Sequence, residues 1–209
     1  MAPLVLALIV LQGALAPVHA AEPIRILAFG DSLTAGYGLA EQDTLPTRLA
    51  DALNKMGRPV IMINGGVSGD TTADGVSRLD WALADQPQIM ILALGANDML
   101  RGLDPKTTRA NLDTIIRRTK AAGVEIVLAG MLAPPNLGAE YKSAYDAVYS
   151  DLAKAHNLLF MPFLLQDVAQ DSVLNQADGI HPNGDGVAII VRNLLPYVTQ
   201  AMDKLEAAS

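Results

Sequence analysis

The sequence contains no cysteine in 209 residues, which excludes disulfides, thiolate metal sites and a cysteine nucleophile. Basic residues are also few, since 15 Lys and Arg accompany 22 Asp and Glu and the formal net charge is −7. Such a chain lacks the basic surface that nucleic acids or anionic membranes require, so we expect no nucleic-acid partner. Stability must come from a single hydrophobic core, for which 51% hydrophobic residues are sufficient.

Short signatures for nucleotide and metal binding are missing as well. The chain has neither a GxGxxG fingerprint nor a GK[ST] phosphate loop, which counts against a nucleotide-binding module. HExxH and paired-histidine spacings are also absent, and His156 and His181 lie on separate predicted elements. These absences count against a metal hydrolase. We therefore predict no cofactor and no metal site.

Long apolar runs are confined to the N-terminal segment. Residues 1–20 contain no Asp, Glu, Lys or Arg and end in small residues at Val18 and Ala20, a pattern typical of an export signal. We predict a signal peptide at residues 1–20 and a single domain at residues 21–209, periplasmic or secreted. The mature protein is expected to be a monomer or weak dimer without stable membrane insertion. The alternative is an uncleaved anchor, because no Lys or Arg lies near Met1.

Five short segments rich in Ile, Val and Leu show little polar alternation, which is typical of strands buried on both faces of a parallel sheet. They are residues 24–29, 60–67, 89–94, 124–132 and 158–163. Apolar residues at helical spacing lie between them, at residues 45–56, 112–119 and 141–152. A last helix is predicted from about Asp185, with a kink at Pro196. This alternation predicts a three-layer α/β domain with right-handed crossovers.

Polar clusters follow four of the predicted strands. They occupy residues 30–33 (GDSL), 68–72 (SGDTT), 95–98 (GAND) and 178–183 (DGIHPN). Ligands of such sheets bind outside the carboxyl ends of the strands. We therefore expect these clusters to meet at one edge of the sheet.

Ser32, His181 and Asp178 have the side chains that a serine hydrolase needs. Ser32 follows a buried strand, where a turn into a helix would expose its hydroxyl. Pro182 favours an extended conformation at His181, and Asp178 lies three residues before it, so the carboxylate can orient the imidazole. Each feature also has a structural explanation. Ser32 or its neighbour Asp31 can be a helix N-cap, and residues 178–183 can be a solvated turn.

Two further residues are candidates for stabilising an oxyanion together with the Ser32 N–H. The side-chain amide of Asn97 can donate to it, and Gly69 can offer a backbone N–H that no Cβ obstructs. Both can instead serve only in turns. His156 ends a predicted helix, where an imidazolium favourably meets the helix C-terminus, so we interpret it as structural.

Together the four clusters resemble the GDSL or SGNH hydrolase superfamily, and within it the exported thioesterase, lysophospholipase and arylesterase subgroup. The resemblance covers nearly the whole mature chain. It implies that Ser32 is the nucleophile, that Asp178 and His181 complete the triad, and that Gly69 and Asn97 complete the oxyanion hole with the Ser32 N–H. It also implies a flavodoxin-like α/β/α sheet of order 2-1-3-4-5.

The resemblance further implies an acyl substrate and its binding loops. The expected reaction is hydrolysis of carboxylic esters and thioesters through an acyl-enzyme, with a small acyl-ester or lysolipid substrate. The alternatives are a carbohydrate O-acetylesterase and a non-catalytic flavodoxin-like binding module. The expected substrate-binding residues lie in the loop after Asn97 and after the fourth strand, and they are Asp98, Met99, Leu100, Arg101, Pro135 and Asn136.

Overall fold

The computed structural model describes residues 22–208, and these contain one central β-sheet; the predicted signal peptide, residues 1–20, lies outside this range. The strands are β1 Ile24–Gly30, β2 Val60–Gly66, β3 Ile89–Ala93, β4 Glu125–Ala129 and β5 Leu159–Met161. Their order is β2-β1-β3-β4-β5, and every adjacent pair is parallel. The predicted five-stranded sheet of order 2-1-3-4-5 is confirmed.

Strands β4 and β5 are shorter than the strands predicted at residues 124–132 and 158–163. Pro162 follows the last residue of β5 and has no N–H for a further ladder bond. Gly130, just after β4, instead approaches Pro162 so closely that a Cβ there would lie 2.4 Å from the proline carbonyl oxygen. The regular ladder therefore ends here, although Gly130 still exchanges backbone hydrogen bonds with Met161 and Leu164. Both chains then continue into the loops that wall the site.

Helices cover both faces of the sheet. They are α1 Ser32–Ala35, α2 Leu45–Lys55, α3 Thr72–Leu83, α4 Ala96–Leu100, α5 Pro105–Ala121, α6 Ala139–His156 and α7 Gly184–Ala208. Alternate strand residues face opposite layers: Ile26 packs in a core cluster with α2 and α7, whereas Leu27 packs in one with α3, α5 and α6. The predicted three-layer α/β/α arrangement is confirmed.

Helix α3 was not among the helices predicted from apolar spacing. It begins with a capping box in which the Thr71 side chain accepts from the Asp74 N–H and the Asp74 carboxylate accepts from the Thr71 N–H. Gly75 lies within the helix, and a Cβ at this position would be 2.4 Å from Leu94 Cδ1. The close packing of α3 on the sheet thus uses a glycine, which weakens the helical signal in the sequence.

The C-terminal helix α7 spans 25 residues and begins one residue before the predicted Asp185. Asn183 caps it, because its side-chain oxygen accepts from the Asp185 N–H at 3.0 Å. The helix continues through Pro196. Neither α7 nor any other helix within the described range is long and apolar enough to span a membrane.

Candidate active site

Ser32 lies at the carboxyl edge of the sheet, in a sharp turn between β1 and α1. Asp31 is the N-cap of α1, since its Oδ1 accepts the Leu33 N–H at 3.0 Å. The turn requires Gly30, where a Cβ would lie 2.0 Å from Thr34 Oγ1. Asp31 thus takes the capping role that the sequence also allowed for Ser32, and the Ser32 hydroxyl remains available to a partner.

That partner is His181, which comes from the loop before α7. His181 Nε2 lies 2.9 Å from Ser32 Oγ, and His181 Nδ1 lies 2.7 Å from Asp178 Oδ2. The other carboxylate oxygen of Asp178 accepts the N–H groups of Ile180 and His181, each at 3.0 Å. The structure therefore brings the three predicted residues into one hydrogen-bonded chain, with the imidazole between hydroxyl and carboxylate.

The loop geometry also stabilises the ionised form of Asp178. The hydrogen bond from His181, followed by the two backbone N–H groups, lowers the pKa of Asp178 to about 2. Gly179 makes the tight loop possible because its φ is +74°. Asp178 is consequently ionised at neutral pH and can stabilise a protonated imidazole.

The candidate oxyanion donors all border one cavity. Ser32, Gly69 and Asn97 all line the same cavity. Within residues 22–208, neither the Ser32 N–H nor the Gly69 N–H has a hydrogen-bond acceptor. Gly69 has a φ of +86°, a conformation that favours glycine. These donors are thus available to a negatively charged oxygen.

Asn97 is positioned by two buried tyrosines. Asn97 lies two residues after Gly95, whose carbonyl accepts the Tyr145 hydroxyl at 2.7 Å. The Leu94 carbonyl accepts the Tyr149 hydroxyl at 3.0 Å. The two hydroxyls also lie 2.7 Å apart. The start of α4 is therefore attached to α6 by hydrogen bonds beneath the site.

Asp31 is a buried carboxyl directly beside the candidate nucleophile. The residue is 1% exposed. Burial raises its pKa to about 6, although the Leu33 N–H bond and the nearby His181 act in the opposite direction. Its Oδ2 lies 3.5 Å from Asn97 Nδ2, a long contact.

A largely apolar cavity of about 620 Å³ opens beside Ser32 and His181. Three of the six predicted substrate-binding residues, Met99, Leu100 and Pro135, line it. Other apolar side chains, which the sequence analysis did not identify, complete its walls: Leu33, Met131, Leu132, Phe163, Leu165 and Ile180. The cavity is of the size and character that accepts an apolar chain.

The remaining three predicted substrate-binding residues do not line this cavity. Asp98 is fully buried, and its carboxylate accepts the Thr72 N–H at 2.8 Å and the Thr72 hydroxyl at 2.5 Å. Asp98 therefore holds the start of α3 and does not face the cavity, contrary to the predicted contact with substrate. Arg101 extends to the Gly69 carbonyl, 2.7 Å away, and Asn136 lies exposed in a short 3-10 turn.

His156 is the last residue of α6 and does not line the cavity, as the structural interpretation expected. Its Nε2 is 2.7 Å from Asp113 Oδ1 on α5. Burial by itself would raise the pKa of Asp113, but hydrogen bonds from His156 and Arg117 outweigh this effect and lower it. His156 therefore joins two helices.

Besides the apolar residues of the cavity wall, Tyr37 and Arg78 were not predicted from the sequence. The ring of Tyr37 packs on the His181 imidazole with centroids 4.7 Å apart. Arg78 donates to Asp70 Oδ2 at 2.6 Å and to the Gly30 carbonyl at 2.9 Å, so it joins the turn after Gly69 to the end of β1. Only the glycines on either side of Tyr37 signalled a turn there, and nothing in the sequence distinguished Arg78 from a surface cation.

Residues 28–189 match the GDSL-like lipase/acylhydrolase family. The chain is 39% identical to an arylesterase of Vibrio mimicus over 76% of its own length and 80% of the relative. It is 36% identical to thioesterase 1/protease 1/lysophospholipase L1 of Escherichia coli K12, over 82% of each chain. A solved structure of AlinE4, an SGNH-hydrolase family esterase, superposes with a TM-score of 0.73 at 43% identity, covering 86% of this chain and 97% of that one.

The same conclusion follows from the sheet order, from the hydrogen-bonded chain of Ser32, His181 and Asp178, and from these similarities. The protein belongs to the GDSL-like lipase/acylhydrolase family and is a hydrolase of ester bonds.

Proposed function

We propose that the enzyme cleaves carboxylic esters and thioesters of acyl chains through a covalent acyl-enzyme. The observation that carries the proposal is the chain from Ser32 Oγ to His181 (2.9 Å) to Asp178 (2.7 Å) at the wall of an apolar cavity. In the first step Ser32 Oγ attacks the acyl carbonyl carbon while His181 Nε2 takes its proton. Asp178 stabilises the imidazolium that forms.

The tetrahedral oxyanion then lies against the Ser32 N–H, the Gly69 N–H and the Asn97 amide. Its collapse breaks the ester or thioester bond, and His181 gives its proton to the departing alcohol or thiol. A water molecule attacks the acyl-enzyme next, with His181 again as base. This second step releases the carboxylic acid and restores the Ser32 hydroxyl.

The cavity supports acyl esters and lysolipids as substrates. Each methylene transferred from water to an apolar wall contributes about 0.8 kcal/mol, or roughly fourfold in affinity. A short acetyl group would leave most of the cavity unused. The names of the relatives, arylesterase and thioesterase/lysophospholipase, agree with this substrate class.

The test measures hydrolysis of p-nitrophenyl esters from two to sixteen carbons, with an acyl-CoA and a lysophospholipid alongside. We expect kcat/KM to rise with chain length until the cavity is filled. Ser32→Ala should lower kcat by about 10⁴-fold or more and abolish fluorophosphonate labelling. The matched control is Ser150→Ala, which changes an exposed serine on α6.

Two results would contradict the proposal. Full activity in a verified Ser32→Ala preparation would remove Ser32 as nucleophile. Turnover confined to the acetyl ester would favour the carbohydrate O-acetylesterase alternative.

We also propose that the enzyme works outside the cytoplasm, as a periplasmic or secreted monomer or weak dimer. The support is the apolar segment before Ala20, which contains no Asp, Glu, Lys or Arg. Protein recovered from an exporting host should have an intact mass that begins at Ala21. Membrane-bound protein that retains Met1 would indicate an anchor instead.

A further inference from the structure

The loop that carries Asp178 and His181 is closed by the backbone of Gln176. The Gln176 N–H donates to the His181 carbonyl at 2.7 Å, and the Gln176 carbonyl accepts the Gly179 N–H at 2.9 Å. The first bond spans both Asp178 and His181, and the second spans Asp178. The backbone of Gln176 thus determines the shape of this loop.

The side chain of Gln176 connects the same loop to the segment after the nucleophile's helix. Its Nε2 donates to the Pro182 carbonyl at 3.0 Å and to the Tyr37 carbonyl at 2.8 Å. Tyr37 in turn packs its ring on His181, with an angle of 38° between the rings. One amide therefore joins the two segments on either side of the Ser32 to His181 hydrogen bond, although 139 residues separate Gln176 from Tyr37.

The surroundings of this amide are closely fitted. A Cβ at Gly38 would lie 2.2 Å from Gln176 Oε1, and Gly38 has a φ of +73°. A side chain at position 38 would thus displace the amide. Gln176 is not among the residues that line the cavity, so its effect on a substrate must pass through the loop.

We propose that Gln176 is a positioning residue that keeps His181 at hydrogen-bonding distance from Ser32. This inference rests on the proposed function, in which His181 is the base. Loss of the amide donors frees the loop from Tyr37, so the imidazole samples orientations in which it cannot accept the serine proton. The loss falls on kcat, because no contact with the acyl chain changes.

Three variants test this. Gln176→Met keeps the length of the side chain but has no donor, and we expect kcat to fall about 10- to 100-fold with KM within about threefold. The rate of fluorophosphonate labelling should fall by a similar factor. The matched control, Gln88→Met, removes an exposed glutamine that accepts the Arg25 N–H at 3.0 Å at the opposite end of the sheet. It should keep kcat within about twofold.

Gln176→Glu tests the pH dependence of kcat/KM, which a purely structural role of Gln176 would not change. An ionised carboxylate would face the carbonyl oxygens of Tyr37 and Pro182 and repel both, whereas a protonated carboxyl can donate one hydrogen bond. The ratio of kcat/KM in Gln176→Glu to that in the wild type should therefore rise as pH falls from about 7.5 to about 5.

The outcomes separate the two proposals. If the wild type turns over esters and folded Gln176→Met retains kcat within about twofold, the positioning role is refuted while the proposed function stands. If Gln176→Met does not fold by circular dichroism, Gln176→Glu decides, and a ratio that is flat with pH refutes the role. If the wild type neither hydrolyses esters nor shows Ser32-dependent labelling, the proposed function itself fails.

Discussion

Replacing Asp31 with asparagine should stabilise the protein at neutral pH, although it changes a residue beside the nucleophile. Asp31 is 1% exposed, and burial raises its pKa from 3.8 to about 6. An asparagine keeps an oxygen that can accept the Leu33 N–H, so the cap of α1 survives the change. The substitution therefore removes the buried charge, and the one contact that it alters is the long one, 3.5 Å, between Asp31 Oδ2 and Asn97 Nδ2.

The magnitude follows from proton linkage. The folded protein holds the Asp31 proton more tightly than the unfolded chain, so the stability contributed by the protonated form is present below about pH 4 and is lost as pH rises through about 6. A tenfold difference in proton affinity is worth about 1.4 kcal/mol. Ionised Asp31 thus lowers the free energy of unfolding by about 3 kcal/mol, of which roughly 1.4 kcal/mol develops between about pH 5 and pH 7.5.

Urea unfolding at a series of pH values measures this contribution. The free energy of unfolding of Asp31→Asn should exceed that of the wild type by about 1 to 3 kcal/mol near pH 7.5. Near pH 5 this difference in unfolding free energy should be smaller by about 1.4 kcal/mol. Asp104→Asn is the matched control, because Asp104 is also an aspartate N-cap but is exposed. It measures the effect of exchanging an exposed capping carboxylate for an amide under the same conditions. If the free energies of unfolding of Asp31→Asn and the wild type change in parallel with pH, the reasoning is refuted.

Three other substitutions test separate parts of the site. Asn97→Ala should lower kcat on a p-nitrophenyl ester about 10²- to 10³-fold, because two oxyanion donors remain; a loss below about threefold would assign Asn97 to turn structure. Gly95→Ala should lower the free energy of unfolding by more than about 2 kcal/mol, since its Cβ would lie 2.1 Å from Tyr149 Oη at a φ of +119°. Adding Tyr149→Phe should recover part of this loss. An unchanged denaturation midpoint in Gly95→Ala would contradict the prediction. His156→Gln should keep kcat/KM within about twofold and cost less than about 1 kcal/mol of stability through its contact with Asp113; a folded but inactive variant would contradict the proposed triad.

Much of the active site was predictable because the chemistry is local in the sequence. Buried strands read as continuous Ile, Val and Leu segments, and the carboxyl ends of parallel strands must share one edge. That rule alone placed Ser32 near the loop of Asp178 and His181, which the structure then shows at hydrogen-bonding distances. The order of the strands came from the family resemblance rather than from the apolar pattern.

Side-chain direction within a loop or short helix was not predictable in the same way. Asp98 and Met99 are neighbours, but successive helical residues point about 100° apart. Met99 consequently lines the cavity, whereas Asp98 points inward to the hydroxyl and N–H of Thr72. Their apolar and acidic character gave no indication of which would face the substrate.

The sequence by itself determined the α/β class, the positions of most strands and helices, and the identity of the residues that form the hydrogen-bonded triad. Only the tertiary structure decided which residues support them. Gln176 reaches Tyr37 across 139 positions, and Asp31 has a raised pKa only because folding removes water from its carboxyl. Burial and contacts distant in sequence arise when the elements pack together, so no local pattern in the chain can encode them.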